Sequence, residues 1–406
     1  MRPQRRHARI VAGNPCGAGS LPSCWAEGSL ENLSVHEDDG GGPSDVLAAA
    51  SAAKEASPAA PAAVLGHGSR ALPAVTVDTY NEELRDEEGF VGDRASGRAF
   101  QAILDDWRER VSASLGEDPF GDTPTNEISK SKLDKLLGGA DPVAAGLVHT
   151  AIEEFAQELA TVVRRFLRLE GWRETEQIVI GGGLSSSHFG QLAMGRAQVI
   201  LAAENISIEL RQIANHPDEA GLIGAVQLAP SWVLAGHDAI IAVDIGGTNM
   251  RAGIVELRMK KGDVSKAAVW KKQHWRHRDD EPTRDEAVAR LAEMVSALID
   301  KALAEKIRLA PFMGIGCPGL IDDRGAIVNG GQNLPGNWQE DGFNLVTALS
   351  GRLPRIEGHE PAIVVHNDAV VQGLSEVPNM RDVSRWGVLT IGTGLGNARF
   401  SKRAGD

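Results

Sequence analysis

The most constraining stretch lies in the middle of the chain. Ala239-Ile240-Ile241-Ala242-Val243 is an unbroken apolar run that delivers an acid and two glycines, Asp244-Ile245-Gly246-Gly247-Thr248-Asn249. A short continuous apolar run rich in β-branched residues and bounded by a turn signal reads as a strand buried on both faces. The glycines let the chain reverse, and residues 251–257 read as the return strand. Such a hairpin has a chemical use. Glycine lets the backbone approach a phosphate closely and present N–H groups to it. Thr248 adds a hydroxyl donor, and Asp244 can hold Mg²⁺ through water, since Mg²⁺ keeps part of its hydration shell. A plain glycine turn has the same letters, so the motif needs companions.

Four companions are present. Thr390-Ile391-Gly392-Thr393-Gly394-Leu395-Gly396 is again an apolar strand followed by small residues, suited to a second phosphate-gripping hairpin facing the first. Gly181-Gly182-Gly183 follows the apolar strand Gln177-Ile178-Val179-Ile180 and offers a flat surface for an adenine or ribose; a loose strand-to-helix turn reads the same way. His366-Asn367-Asp368 follows the strand Ile363-Val364-Val365. Asp368 at that strand end can accept the proton of an attacking hydroxyl, and Asn367 can hydrogen-bond other hydroxyls; a simple helix cap is the competing reading. Gly316-Cys317-Pro318-Gly319 and Asn333-Leu334-Pro335-Gly336 can line a polyol site or serve only as turns.

Around these motifs strands and helices alternate, which means an α/β class. Helices are expected over residues 97–114, from the Asp141-Pro142 start to Gly171, and over 188–201, 217–228 and 284–305. Strands are expected at 74–77, 177–180, 206–210, 239–243, 313–316, 363–366 and 387–391, with a short linker at 229–237. Residues 1–72 are rich in Ala, Gly, Ser and Pro and read as a disordered low-complexity tail or the product of an upstream start codon.

The formal net charge is -13 and the basic residues form no stripe, which argues against a nucleic-acid partner. No apolar run is long enough to span a bilayer, and no apolar core follows the basic first residues. Cys16, Cys24 and Cys317 make neither a disulfide framework nor a four-cysteine zinc site, which points to the cytoplasm. The pair His274-x-x-His277 reads as a solvated connection rather than a metal site, and Cys317 as a packed small residue.

Taken together, these segments resemble the ROK family of bacterial sugar kinases and sugar-responsive repressors. The resemblance rests on Asp244–Thr248, Gly316–Gly319, Asn333–Gly336, Asn367-Asp368, Thr390–Gly396, Ile180–Ser185 and Asp218–Ala225. It implies a two-lobed actin-like ATPase (ribonuclease H-like) α/β fold and an ATP-dependent carbohydrate kinase. ATP and Mg²⁺ would be held by Asp244, Gly246, Gly247, Thr248, Thr393, Gly394 and Gly396, with Gly181, Gly182 and Gly183 on the adenosine side. Asp244 would carry the metal. Gly319, Asn333 and Asn367 would meet the sugar, and Asp368 would act as base. The partner implied is a small-molecule sugar, with no membrane and no nucleic acid, and a homodimer is an assembly compatible with it.

Two departures follow. The order is permuted: residues 73–230 resemble the family's C-terminal lobe and 238–406 its N-terminal segment, as in a circular permutation cut within the hairpin after the second phosphate motif. The family's zinc-binding Cys/His cluster and Glu-x-x-His sugar clamp are not visible, and Phe90 stands where a cysteine is usual, so no structural zinc is expected. Glu87, Glu88 and Asp93 are substitutes for the clamp among which the sequence does not choose. The missing clamp keeps a non-catalytic sugar or nucleotide sensor as the alternative. The sequence leaves open which sugar and which hydroxyl are used.

Overall fold

The computed structural model describes residues 65–87 and 89–403. Most of the expected tail, residues 1–64, and the clamp candidate Glu88 lie outside the described residues.

Two five-stranded sheets organise the chain. The first contains β1 (Val75–Tyr80), β2 (Gln177–Gly181), β3 (Glu209–Gln212), β9 (Arg385–Ile391) and β10 (Leu395–Lys402), in the spatial order β1-β10-β9-β2-β3. The second contains β4 (Ala239–Ile245), β5 (Met250–Glu256), β6 (Ala268–Trp275), β7 (Leu309–Cys317) and β8 (Ala362–Asn367), in the order β6-β5-β4-β7-β8. In each, a central strand pairs antiparallel with its hairpin partner on one side and parallel with a crossover strand on the other. The two sheets therefore share one plan. In the second sheet the chain fills that plan from its central hairpin outwards. In the first it begins at the outer antiparallel strand, β1, and supplies the central hairpin β9–β10 last. Val75 of β1 is paired with Lys402 of β10, so the two ends of this sheet's chain lie side by side.

Helices cover both sheets. On the first sheet α1 (Gly97–Leu115), α2 (Lys130–Leu137), α3 (Pro142–Arg168) and α4 (His188–Ala203) enclose a core around Phe155, Phe166 and Trp172. α3 starts where expected because the Asp141 carboxylate accepts the Val143 and Ala144 N–H groups, with Pro142 in the first turn. On the second sheet α6 (Arg284–Ala304), opened by a Thr283/Glu286 capping box, buries Leu291, Val295 and Leu298. Between the sheets lie α5 (Pro217–Gly224) and α7 (Asp368–Leu374), the helices that follow the last strand of each plan. They approach closely, since a Cβ on Gly224 would lie 1.7 Å from the Val371 carbonyl oxygen.

Several boundaries differ from expectation. The helix expected over 217–228 tightens to a 3₁₀ turn at Ala225–Leu228, just past Gly224. The strand expected at 206–210 sits at Glu209–Gln212, where Leu210 is in register with Ile178 and Gln198 brackets it by accepting the Leu210 N–H and donating to the Ile208 carbonyl. β6 was not anticipated, because an edge strand with only intermediate burial has no alternating pattern. Residues 65–72, assigned to the tail by composition, are packed. The Gly68 N–H donates to Val365 O (3.0 Å), the Val365 N–H to His67 Nδ1 (3.2 Å), and Leu72 is buried. β8 is the edge of its sheet, and this segment satisfies backbone groups that its free side would leave open.

Candidate active site

The two glycine hairpins meet head to head. The first leaves β4 at Asp244-Ile245 and is closed by a Gly246 N–H bond to Asn249 O (2.8 Å). The second leaves β9 and is closed by a Gly392 N–H bond to Gly394 O (3.0 Å). Between them the Thr248 and Thr393 hydroxyls are 2.8 Å apart. The first loop is held from behind by His277, whose Nε2–H donates to Gly246 O (2.9 Å). Burial pushes the His277 imidazole below its ordinary value, so it holds the loop as a neutral donor.

Two carboxylates stand beside the hairpins. Asp244 is buried at the end of β4. Its Oδ2 accepts from Arg251 Nη1 (3.2 Å), while Arg251 Nη2 donates to Asp218 on α5 (2.6 Å). Asp244 Oδ1 is buried with no hydrogen-bond partner. Burial raises the Asp244 carboxyl above its usual range, and Arg251 offsets only part of that. At Asp218 burial pushes the same way, but the Arg251 guanidinium prevails and holds it low. Asp368, the first residue of α7, is pushed up to about 7, chiefly by burial and then by the nearby Asp244 charge. A carboxylate poised there is matched to accepting a proton near neutrality. Cys317, buried at the end of β7, has its thiol pushed up by burial and by both aspartates, which makes it inert packing rather than a nucleophile.

Asp368 Oδ1 accepts the Ala369 N–H (2.9 Å), and its neighbour Asn367 shares the capping. Asn367 Oδ1 accepts the Ala369 and Val370 N–H groups (3.0 and 3.2 Å), and Asn367 Nδ2 donates to Gly319 O (2.9 Å). Asn367 is therefore tied into the backbone of α7 and of the Gly319 turn, and this differs from the expectation that it orients a sugar. His366 is also committed: Nε2–H donates to Ser69 O (3.1 Å) and Nδ1 accepts the Asn367 N–H (2.8 Å). Burial holds its imidazole down at about 4, so it stays neutral.

The glycines divide into two groups when a Cβ is added to each. Gly182 has φ +79° and a Cβ there would lie 2.4 Å from Ile391 O; on Gly396 it would meet Thr390 Oγ1 at 2.4 Å, and on Gly247 the Asn333 Cβ at 2.8 Å. These glycines are demanded by the protein's own packing. At Gly246 the nearest atom is Asn249 O at 3.5 Å, and at Gly394 nothing lies within 4 Å. Neither has the positive φ that would require glycine for the backbone. The protein's own packing therefore does not account for glycine at 246 or 394.

The remaining expected residues converge on the same place. The Gly181–Gly183 triplet passes over Ile391 and is held there by Lys130 Nζ, which donates to Gly183 O, and by Ser185 Oγ, which donates to Gly182 O. Asn333 lies against Gly247, and Gly319 is fastened to Asn367. Of the clamp substitutes, Glu87 and Asp93 are exposed. Sequence reasoning missed Arg251, Lys130 and Arg98, whose Nη2 donates to Asn333 Oδ1 (3.3 Å), and it placed His277 in a solvated connection although the side chain is buried against the first hairpin. Arg251 had the best available signal, since the register of a hairpin puts it opposite Asp244. The others arrive from distant segments.

Asp244 is a buried carboxylate with one oxygen lacking a protein partner, and could hold Mg²⁺ through water. Among the described residues no group of three or more His, Cys, Asp or Glu side chains could hold a metal ion on its own. Also among them, no helix is long and apolar enough to cross a membrane.

Comparison with known proteins bears on this arrangement. No curated protein matches the chain. Among solved structures, the chain is similar to a ROK family glucokinase from Streptomyces griseus in complex with glucose and AMPPNP, at 23% identity and TM-score 0.29 over 41% of this chain and 47% of that one. It is also similar to a hexokinase from Schistosoma mansoni complexed with glucose, at 16% identity and TM-score 0.30 over 45% and 48%. A protein from Listeria monocytogenes matches at 23% identity and TM-score 0.28 over 41% of this chain and 50% of its own. The chain spans about half the length of each of these structures. The sequence model of the ROK family matches residues 240–402, which contain both glycine hairpins and Asp368, and this supports an α/β fold of the ROK sugar-kinase type.

Proposed function

We propose that this chain is an ATP-dependent carbohydrate kinase. The observation that carries the reading is the meeting of two glycine hairpins, Thr248 against Thr393, beside an Asp368 carboxyl pushed up to about 7. Two of the loop glycines, Gly246 and Gly394, have open space where a side chain would stand. Phosphoryl transfer asks a protein for positioning and charge stabilisation more than for covalent chemistry. The hairpin N–H groups and threonine hydroxyls would grip the phosphate chain, with adenosine on the Gly181–Gly183 side. Asp368 would take the proton of the sugar hydroxyl as its oxygen attacks the γ-phosphorus. Asn333 and the Gly319 turn would border the acceptor, and Asn367 would fix the position of both Gly319 and Asp368. Asp244 would hold Mg²⁺ through water, and the bound ion would supply positive charge to the phosphate oxygens. Closure of the cleft would exclude water as a competing acceptor.

The permuted order belongs to the same proposal. The paired ends Val75 and Lys402 are what a hairpin opened at its turn would leave, and residues 229–237 are what a join of the old termini would need.

One observation favours a second reading, a sensor without turnover. Asp244 is engaged by Arg251, and Asn367 by backbone, so two polar groups expected to meet ligands are already partnered. The deciding experiment measures ADP release with Mg²⁺-ATP against hexoses, N-acetylated amino sugars and polyols. Sugar-dependent turnover that Asp368→Asn lowers by about 10²–10⁴-fold supports the kinase. Sugar or nucleotide binding without any turnover supports the sensor.

A further inference from the structure

We propose that Arg98 is the side chain that meets the γ-phosphoryl group of the nucleotide, an assignment that rests on the kinase reading above. Arg98 is the second residue of α1, and the residue before it is pinned to the second hairpin. The Gly97 N–H donates to Gly392 O at 2.8 Å, and a Cβ on Gly97 would lie 2.8 Å from that same oxygen. The chain therefore leaves the second hairpin directly into Arg98. The guanidinium then reaches a loop of the other sheet. Its Nη2 donates to Asn333 Oδ1 at 3.3 Å, and Asn333 is packed on Gly247 of the first hairpin. One side chain thus runs from the second hairpin to the edge of the first, passing the loop proposed to border the acceptor. A group lying next to all three is the one that changes hands.

The charge balance of the cleft points the same way. Asp244, Asp368 and Asp218 supply negative charge there, and a phosphate entering beside them needs cations. Arg251 is committed to Asp244 and Asp218, and Lys130 donates to Gly183 O on the adenosine side. Arg98 is exposed and has no carboxylate partner among the described residues. A guanidinium has five N–H donors in a planar fork matched to phosphate oxygens. Only one is used, on a neutral amide. In the transfer the acceptor oxygen forms a bond to the γ-phosphorus. The bond from that phosphorus to the β,γ-bridging oxygen breaks, its electron pair leaves on ADP, and the acceptor proton goes to Asp368. Arg98 makes and breaks no covalent bond; its N–H groups bind the non-bridging oxygens as charge shifts across them.

The test compares wild type with Arg98→Ala and Arg98→Lys in the full chain. The readouts are calorimetric affinities for Mg²⁺-AMPPNP and Mg²⁺-ADP, together with kcat and the two KM values. Arg98→Ala is expected to weaken AMPPNP at least tenfold, to leave ADP within twofold, and to lower kcat about a hundredfold. Arg98→Lys should recover AMPPNP affinity more than kcat, because an ammonium restores the charge without the fork. Equal weakening of AMPPNP and ADP would overturn the assignment, as would a change confined to the acceptor KM. If wild type binds both nucleotides but turns over no sugar, the kinase reading falls while the AMPPNP-to-ADP ratio still judges Arg98. If wild type turns over sugar and Arg98→Ala keeps the ratio, only the Arg98 assignment falls. If wild type binds neither nucleotide, both fall.

Discussion

At the tip of β4 stands Asp244; at the matching point of the other sheet, the tip of β9, stands Thr390. Each is the penultimate residue of a seven-residue central strand, and each faces a residue on the return strand of its hairpin: Arg251 opposite Asp244, Gly396 opposite Thr390. One hairpin therefore encloses an ion pair and the other a hydroxyl over a glycine. The helices that follow the outer strands repeat the contrast. Asp368 opens α7 and is raised towards neutrality, whereas Asp218 in the first turn of α5 is held low by Arg251. Similar strand plans thus carry different charge, and the carboxyls least compensated by a cation stand on one of them. On the proposed kinase reading, the sheet carrying Asp244 and leading into Asp368 would be the acid–base side, and the other a grip.

That division can be broken experimentally. The largest effect should come from the two matched helix starts: Asp368→Asn should lower kcat by about 10²–10⁴-fold, whereas Asp218→Asn, acting through Arg251, should lower it less than about tenfold. Equal losses would mean that the two sheets share the acid–base work. Next come the strand tips. Asp244→Asn should cost about a hundredfold in kcat and raise the Mg²⁺ requirement, while Thr390→Val should stay within about threefold. The glycines separate packing from binding: Gly182→Ala should destabilise the fold by about 2 kcal/mol in chemical denaturation. Gly394→Ala should leave stability within about 0.5 kcal/mol yet raise the ATP KM about tenfold. If Gly394→Ala unfolds the chain instead, the open space at that glycine has been misread as a binding surface.

The smallest effect is on pH dependence. The Asp368 carboxyl holds its proton up to about 7 in the folded chain, against 3.8 for an unperturbed carboxyl. Between those values the folded state binds more protons, so this contribution is full below the lower value and is lost as pH rises through about 7. Asp368 keeps part of its surface open to solvent, so Asp368→Asn should be more stable than wild type by about 1–2 kcal/mol at pH 8, with the difference vanishing at acid pH. Over the same range kcat/KM of the wild type should rise with pH, as the base loses its proton. A flat profile would remove Asp368 from the base role.

Much of this was legible in the sequence because local signals and tertiary placement agree. The run Ala239–Val243 is buried end to end, α3 begins at the Asp141-Pro142 cap, and both glycine hairpins turn where their glycines stand. What could not be read depends on contacts between segments far apart in the chain. Arg98 reaches Asn333, His67 and Ser69 reach the edge strand β8, and Lys130 reaches Gly183 through folding alone. Nothing about Asn367 as a triplet member distinguishes a ligand contact from a cap. Only the Ala369 and Val370 N–H groups on its side chain do so, the first of them shared with Asp368 Oδ1.

The pairing of Val75 with Lys402 also has a consequence for how the protein is made. Synthesis runs from the N-terminus, and domains generally fold as their residues emerge. The sheet of β4–β8 can assemble as soon as residues 239–367 are out. β1 has β10 as its sole strand partner among the described residues, and β10 is translated more than three hundred residues later. For most of translation an early strand waits with open edges, exposed to mispairing, and the sheet it belongs to closes only at the end. Chaperone dependence should fall most heavily on residues 75–212, the portion built first and completed last.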